Sequence, residues 1–91
     1  MSAGITQDFE IRNTLGLHAR AAATLVKVTT RFTCEVLLER DGQQANGKSI
    51  LGVMTLAAAR GTTVRVTCVG ADQAEALAAI GQVIDSRFGE E

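Results

Sequence analysis

Apolar and polar residues alternate along TQDFEIR, with Phe9 and Ile11 on one side and Asp8, Glu10 and Arg12 on the other. That is the period of a strand with one buried face. From Ala19 to about Arg31 the spacing changes: Ala22, Leu25, Val26 and Thr29 fall at i, i+3, i+4 and i+7, which predicts an amphipathic helix. TCEVLLER returns to alternation, with Cys34, Val36 and Leu38 facing one way. Asp41-Gly42 then signals a hairpin turn, with the short QQAN as the returning strand. Ser49 opens a second helical run that stops near Gly61. TTVRVTCV alternates again and turns Val64, Val66 and Cys68 inward. Asp72 followed by Glu75 has the spacing of a capping box. The last helix is expected to bury Leu77, Ile80, Gly81, Ile84 and Phe88. The order is βαββαβα, and strands with one polar face suit an antiparallel sheet covered by helices on one side only.

Composition narrows the functional classes. The 91 residues are enough for one domain and too few for two separate cores, with loose ends expected at about residues 1–4 and 89–91. A net charge of −1 and three Phe as the only aromatic residues argue against nucleic acid, which needs a basic excess and stacking platforms. MSAGITQDFE lacks the basic and apolar regions of a secretory signal. ILGVMTLAAA, residues 50–59, is roughly half the length of a membrane span. A cytoplasmic protein without membrane insertion is expected. Cys34 and Cys68 stand apart, with no CxxC and a single His in the chain, so they read as small buried residues and not as metal ligands. No cofactor or metal is implied.

The candidate chemistry sits in NTLGLHARAAATLVK. If the helix begins at Ala19, its N-cap is His18, although Ser, Thr, Asp and Asn are the favoured caps. The unpaired N–H groups of a first helical turn, with the helix dipole behind them, make a ready anion site. A neutral imidazole nitrogen is a nucleophile at physiological pH. Phosphorylation of that ring would place negative charge against the same donors, and Arg20 on the first turn can add charge-assisted bonds. Phosphoryl transfer asks chiefly for positioning and charge stabilisation, which such a helix end supplies.

GLHARAAATLVK and NGKSILGVMTLAAARG resemble, in order and spacing, the two signatures of the HPr family, the histidine-containing phosphocarriers of the phosphoenolpyruvate-dependent sugar phosphotransferase system. The resemblance spans essentially the whole chain. It implies an α+β open-faced β-sandwich, a four-stranded antiparallel sheet with three helices on one face. It also implies that His18 accepts a phosphoryl group at Nδ1 from phospho-enzyme I and passes it to IIA domains, with Arg20 as the phosphate partner. The chain departs from the family at Ala21, where proline is usual. Proline is tolerated in a first turn because its missing N–H has no helical partner, whereas alanine restores that N–H and favours the helix.

Ser49 has an evident structural role as N-cap of the second helix, without a capping-box partner because Gly52 stands at the third position. By resemblance it also matches the serine modified by an HPr kinase/phosphorylase. A phosphate there would set about −2 charge beside an apolar surface without unfolding the helix. Ile50, Leu51, Val53, Met54 and Leu56 point in almost every direction around that helix, so part of this surface is expected to face solvent and dock partners, Leu51, Val53 and Met54 foremost. Lys27 and Lys48 either help meet an acidic partner or are ordinary solvated residues. A monomer is expected, since a relay presents one small face to successive partners. Two other functions stay open. One is a nitrogen-type carrier that regulates other proteins without feeding sugar transport; the other is an unphosphorylated interaction module in which His18 is an incidental cap.

Overall fold

The computed structural model describes residues 4–90. The strands are β1 (Ile5–Glu10), β2 (Glu35–Arg40), β3 (Gln43–Asn46) and β4 (Thr63–Val69), and the helices α1 (Ala19–Thr29), α2 (Ile50–Thr55) and α3 (Gln73–Asp85). A 3₁₀ turn over Arg87–Gly89 follows α3. The four strands form one sheet in the order β1-β4-β2-β3, every neighbouring pair antiparallel.

Register follows the apolar pattern. Phe9 lies opposite Val64, Val36 opposite Cys68, and Leu38 opposite both Val66 and Ala45. All of these are buried on the helical side. The other face is polar and paired across strands: Arg65 Nε donates to Asp8 at 2.9 Å, and the Thr6 and Thr67 hydroxyls share a hydrogen bond of 2.9 Å. One face is thus wet and the other dry, which makes a one-residue slip of register costly. Helix α1 covers the dry face with Ala21, Ala22, Leu25 and Val26, and α3 with Ala76, Leu77, Ile80 and Ile84. Burying each of the larger side chains stabilises the fold by roughly 1.5–3 kcal/mol. Thr29, also fully buried, donates to the Gly47 carbonyl at 2.8 Å and so ties the end of α1 to the loop before α2.

Three local expectations are corrected. Helix α2 ends at Thr55 and does not run to Gly61. Leu56 and Ala58 turn into the core, Ala57 takes φ +50°, and the Arg40 guanidinium donates to the Leu56 carbonyl at 3.1 Å. Burying those two side chains outweighs further helical bonds. Asp72 makes no capping box, because its carboxylate accepts from the backbone N–H groups of Thr33 and Cys34, both at 2.9 Å. It ties α3 to the start of β2, and those two donors hold its carboxyl below the usual range. Phe88 is buried, but not by α3. The chain leaves the helix after Asp85, and Arg87 and Phe88 adopt φ of +60° and +55°, which folds the ring back under the core.

The loop from β1 to α1 is held from both sides. Ile11 exchanges hydrogen bonds with Gly61 and Thr62, and Leu17 N–H donates to the Ala58 carbonyl at 2.9 Å. Between them Gly16 has φ +65°, and a Cβ there would lie 2.4 Å from that same carbonyl oxygen. Gly16→Ala is expected to cost roughly 2–4 kcal/mol, strain and clash together, in a urea unfolding curve. A loss below about 1 kcal/mol would mean the loop is free to shift.

Candidate functional site

The β1–α1 loop delivers His18 to the start of α1 in an extended conformation, φ −73° and ψ −179°, as the N-cap. Its carbonyl accepts the first intrahelical bond, from Ala22 N–H at 2.9 Å. The helix therefore leaves the N–H groups of Ala19, Arg20 and Ala21 without carbonyls four residues back. Arg20 N–H donates to Nδ1 of the His18 ring at 3.3 Å.

The other ring nitrogen faces a carboxylate. Nε2 of His18 lies 2.9 Å from Oε2 and 3.1 Å from Oε1 of Glu90. A backbone N–H can only donate and a carboxylate can only accept, so the neutral ring carries its proton on Nε2 and its lone pair on Nδ1. Glu90 is itself held by Asn13, whose Nδ2 donates to Oε1 at 3.1 Å and to the Gly16 carbonyl at 2.7 Å. Asn13 is 0% exposed. Hydrogen bonding to His18, then to Asn13, with the charge of Arg20 nearby, holds the Glu90 carboxyl below the usual glutamate range.

Around the ring is an open depression lined by Thr14, Leu15, His18, Ala19, Arg20 and Glu90. The structure therefore brings His18 and Arg20 together, with Nδ1 of the ring turned to the helix end, where it accepts from Arg20 N–H. Ala21 is fully buried on the first turn of α1, so a side chain smaller than proline leaves the helix start intact.

Ser49 caps α2, with its Oγ accepting from Gly52 N–H at 3.0 Å. Leu51 is 75% and Leu15 70% exposed, with Ile50 and Met54 also open to solvent. Val53 is corrected: it is 0% exposed and belongs to the core, because α2 must bury one of its faces to hold its place against α1. Lys27 is exposed in the last turn of α1, whereas Lys48 Nζ donates to the Phe32 carbonyl at 2.6 Å and so closes the loop after that helix. Cys34 and Cys68 are free and buried, and burial pushes the Cys68 thiol up to about 11.

Two site residues escaped sequence reasoning. Asn13 continues the inward positions of Phe9 and Ile11, so a polar residue at the end of an apolar alternation was its signal. Glu90 carried none: seventy-two residues separate it from His18, and its segment reads as a loose end.

A buried sheet face, helices on that side alone and one histidine offered at a helix N-terminus define the small open-faced phosphocarrier domains. The family model described as the PTS HPr component phosphorylation site matches residues 5–86. The phosphocarrier protein HPr of Neisseria meningitidis serogroup A is 44% identical over 86 residues, 94% of this chain and 97% of that one. The HPr-like protein Crh of Bacillus subtilis is 47% identical over 73 residues, 80% of this chain and 86% of its own length. Among solved structures, HPr-C-His from Thermoanaerobacter tengcongensis superposes with a TM-score of 0.92 at 39% identity, covering 96% of this chain and 98% of that one. The chain belongs to the HPr family.

Two measurements check this geometry. Removing the cap with Ser49→Ala is expected to cost about 1 kcal/mol of stability, since the Gly52 N–H loses its acceptor. The depressed Glu90 carboxyl stabilises the fold at pH above the unfolded value, 4.5, and that contribution disappears as pH falls through the lower folded value. Its titration, followed by the side-chain ¹³C shift, should have a midpoint below 4.5; a midpoint at or above it would mean that the contact with His18 does not persist.

Proposed function

We propose that this protein relays phosphoryl groups through His18, from phospho-enzyme I to IIA domains, in phosphoenolpyruvate-dependent sugar uptake. The observation that carries the reading is the division of labour in the His18 ring. Nε2 is committed to Glu90, and Nδ1 presents its lone pair at a helix N-terminus.

In the transfer, the Arg20 N–H releases Nδ1, the freed lone pair attacks phosphorus in line with the donor, the N–P bond forms and the bond to the donor breaks. The incoming oxygens meet the amides of Arg20 and its neighbours, where the positive helix end favours their charge. The Arg20 guanidinium adds a planar, permanently charged donor. Onward transfer reverses these steps with a IIA acceptor. The exposed Leu15, Leu51 and Met54 supply an apolar docking surface, and an unbranched Met adapts to different partners in turn. Lys27, on the exposed side of α1, adds charge toward acidic partners.

Ser49 is a regulatory site in this account, open to an HPr kinase/phosphorylase. The Gly52 N–H that now donates to Ser49 Oγ would donate to a phosphate oxygen instead, so the fold is kept while the docking surface gains negative charge. The protein acts in the cytoplasm as a monomer, as a single domain spanning residues 1–91. The second reading is a nitrogen-type carrier whose phosphorylation controls other proteins; Ala21 does not separate the two, and the serine context of GKSILGVM leans toward the sugar-transport branch. The two readings share the chemistry and differ in which IIA domain accepts the phosphate.

Incubation with phosphoenolpyruvate, Mg²⁺ and enzyme I is expected to add one phosphoryl group by intact mass. The group should be lost in mild acid and absent from His18→Ala. No added mass with either cognate or nitrogen-type enzyme I would overturn the relay. Ser49→Asp, with charge at the same helix end, is expected to fold normally and accept phosphate at least about tenfold more slowly.

A further inference from the structure

We infer that Glu90, held in place by Asn13, is a positioning and charge-balancing residue for phosphoryl transfer at His18. The inference rests on the carrier reading above and assigns a role that this reading leaves open, namely what becomes of the far side of the ring when Nδ1 reacts.

Attack by Nδ1 gives that nitrogen a third bond and puts a positive charge on the imidazole. The Nδ1–P bond forms and the donor bond breaks, while the proton on Nε2 remains, so the ring becomes cationic. A carboxylate 2.9 Å from Nε2 on the opposite edge from the phosphoryl group balances that charge and keeps the proton where it is. The balance matters twice. It stabilises the ring as positive charge develops during capture. It also retains the protonated ring from which the phosphoryl group departs more readily, because the departing nitrogen takes back its electron pair as neutral imidazole. Without the carboxylate, the Nε2 proton would be lost more easily and the phosphoryl group would be held on a poorer leaving group.

The arrangement has the logic of an acid–histidine pair in nucleophilic catalysis, with a third residue fixing the acid. Here the third residue is Asn13. Its amide bridges Glu90 and the Gly16 carbonyl, which binds the carboxylate to the same loop that carries His18. Asn13 is buried and its carbonyl accepts from Gly16 N–H at 3.2 Å, and the next residue, Leu17, is hydrogen-bonded to the Ala58 carbonyl, so the acid is fixed to the pinned loop. The charged groups facing the ring are Glu90 and Arg20. The remaining described residues lining the depression, Thr14, Leu15, Ala19 and Gly89, carry no charge. Arg20 opposes a cationic ring and serves the phosphate, so among the described residues lining the depression Glu90 is the one that offsets the charge on the imidazole.

The test compares the full chain with Glu90→Ala, Glu90→Gln and Asn13→Ala, with His18→Ala as the inactive control. Transfer from phospho-enzyme I is timed across pH, and the Nε2–H proton of His18 is followed by NMR. Glu90→Ala is expected to transfer at least tenfold more slowly, with the alkaline limb of its rate profile moved to lower pH and the Nε2–H resonance lost to exchange. Glu90→Gln, which keeps an acceptor but no charge, should recover the resonance and not the rate. Asn13→Ala should shift both in the same direction by less. Because Asn13 is buried, its unfolding curve is measured as well, and the Glu90 variants carry the decision if it fails to fold. Wild-type rate and an unmoved pH profile in Glu90→Ala would overturn the role of Glu90 while leaving the relay intact. Failure of the wild-type chain itself to accept phosphate would overturn both, and so separates the two claims.

Discussion

The site depends on the orphan amides at the start of α1. A helix cannot pair its first N–H groups internally, and here one of them, that of Arg20, donates to a histidine ring nitrogen in place of the usual serine or aspartate oxygen. The substitution exchanges a strong cap for a weaker one that presents an imidazole nitrogen to the helix end. Everything else in the first third of the chain maintains that exchange. The loop is pinned by Ile11 and Leu17, Gly16 makes the turn no other residue makes without strain, and Ala21, Ala22, Leu25 and Val26 anchor the helix so that its end does not fray.

The same logic recurs at α2 with a different outcome. Ser49 is a conventional cap, and its helix of six residues is short because the chain turns Leu56 and Ala58 into the core. What the short helix keeps outside is largely apolar: Ile50, Leu51 and Met54, with Thr55 at its end. Of the three helix N-termini on the helical side of the sheet, one thus bears the histidine and one a serine next to an exposed apolar surface. Both caps accept from an N–H of the first turn, the first through an imidazole nitrogen and the second through a hydroxyl.

Much of this was legible in the residues. The strands and their inward faces follow from alternation, because burial on one side only leaves a period of two. Helix α1 and its buried stripe follow from a period near 3.6, and His18, Arg20 and Ser49 follow from their places beside those patterns. What sequence could not supply were contacts between distant segments. Asp72 has the spacing of a capping box and is drawn instead to the amides before β2. Phe88 continues the period of α3 and is reached by two left-handed residues that no periodicity shows. Val53 resembles its exposed neighbours in kind and differs only in direction. Glu90 meets His18 across almost the whole chain, and the inward position of Asn13 was the one local trace of the network between them.

The central claim is that the α1 N-terminus receives a phosphoryl group on Nδ1 of His18. It is tested most directly by NMR of the ¹⁵N-labelled protein after phosphorylation. The account predicts phosphorus coupling to Nδ1, Nε2 still protonated, and large downfield shifts confined to the first amides of α1, Arg20 and Ala21 among them. Phosphorus coupled to Nε2, or amides of the first turn left unmoved, would contradict it.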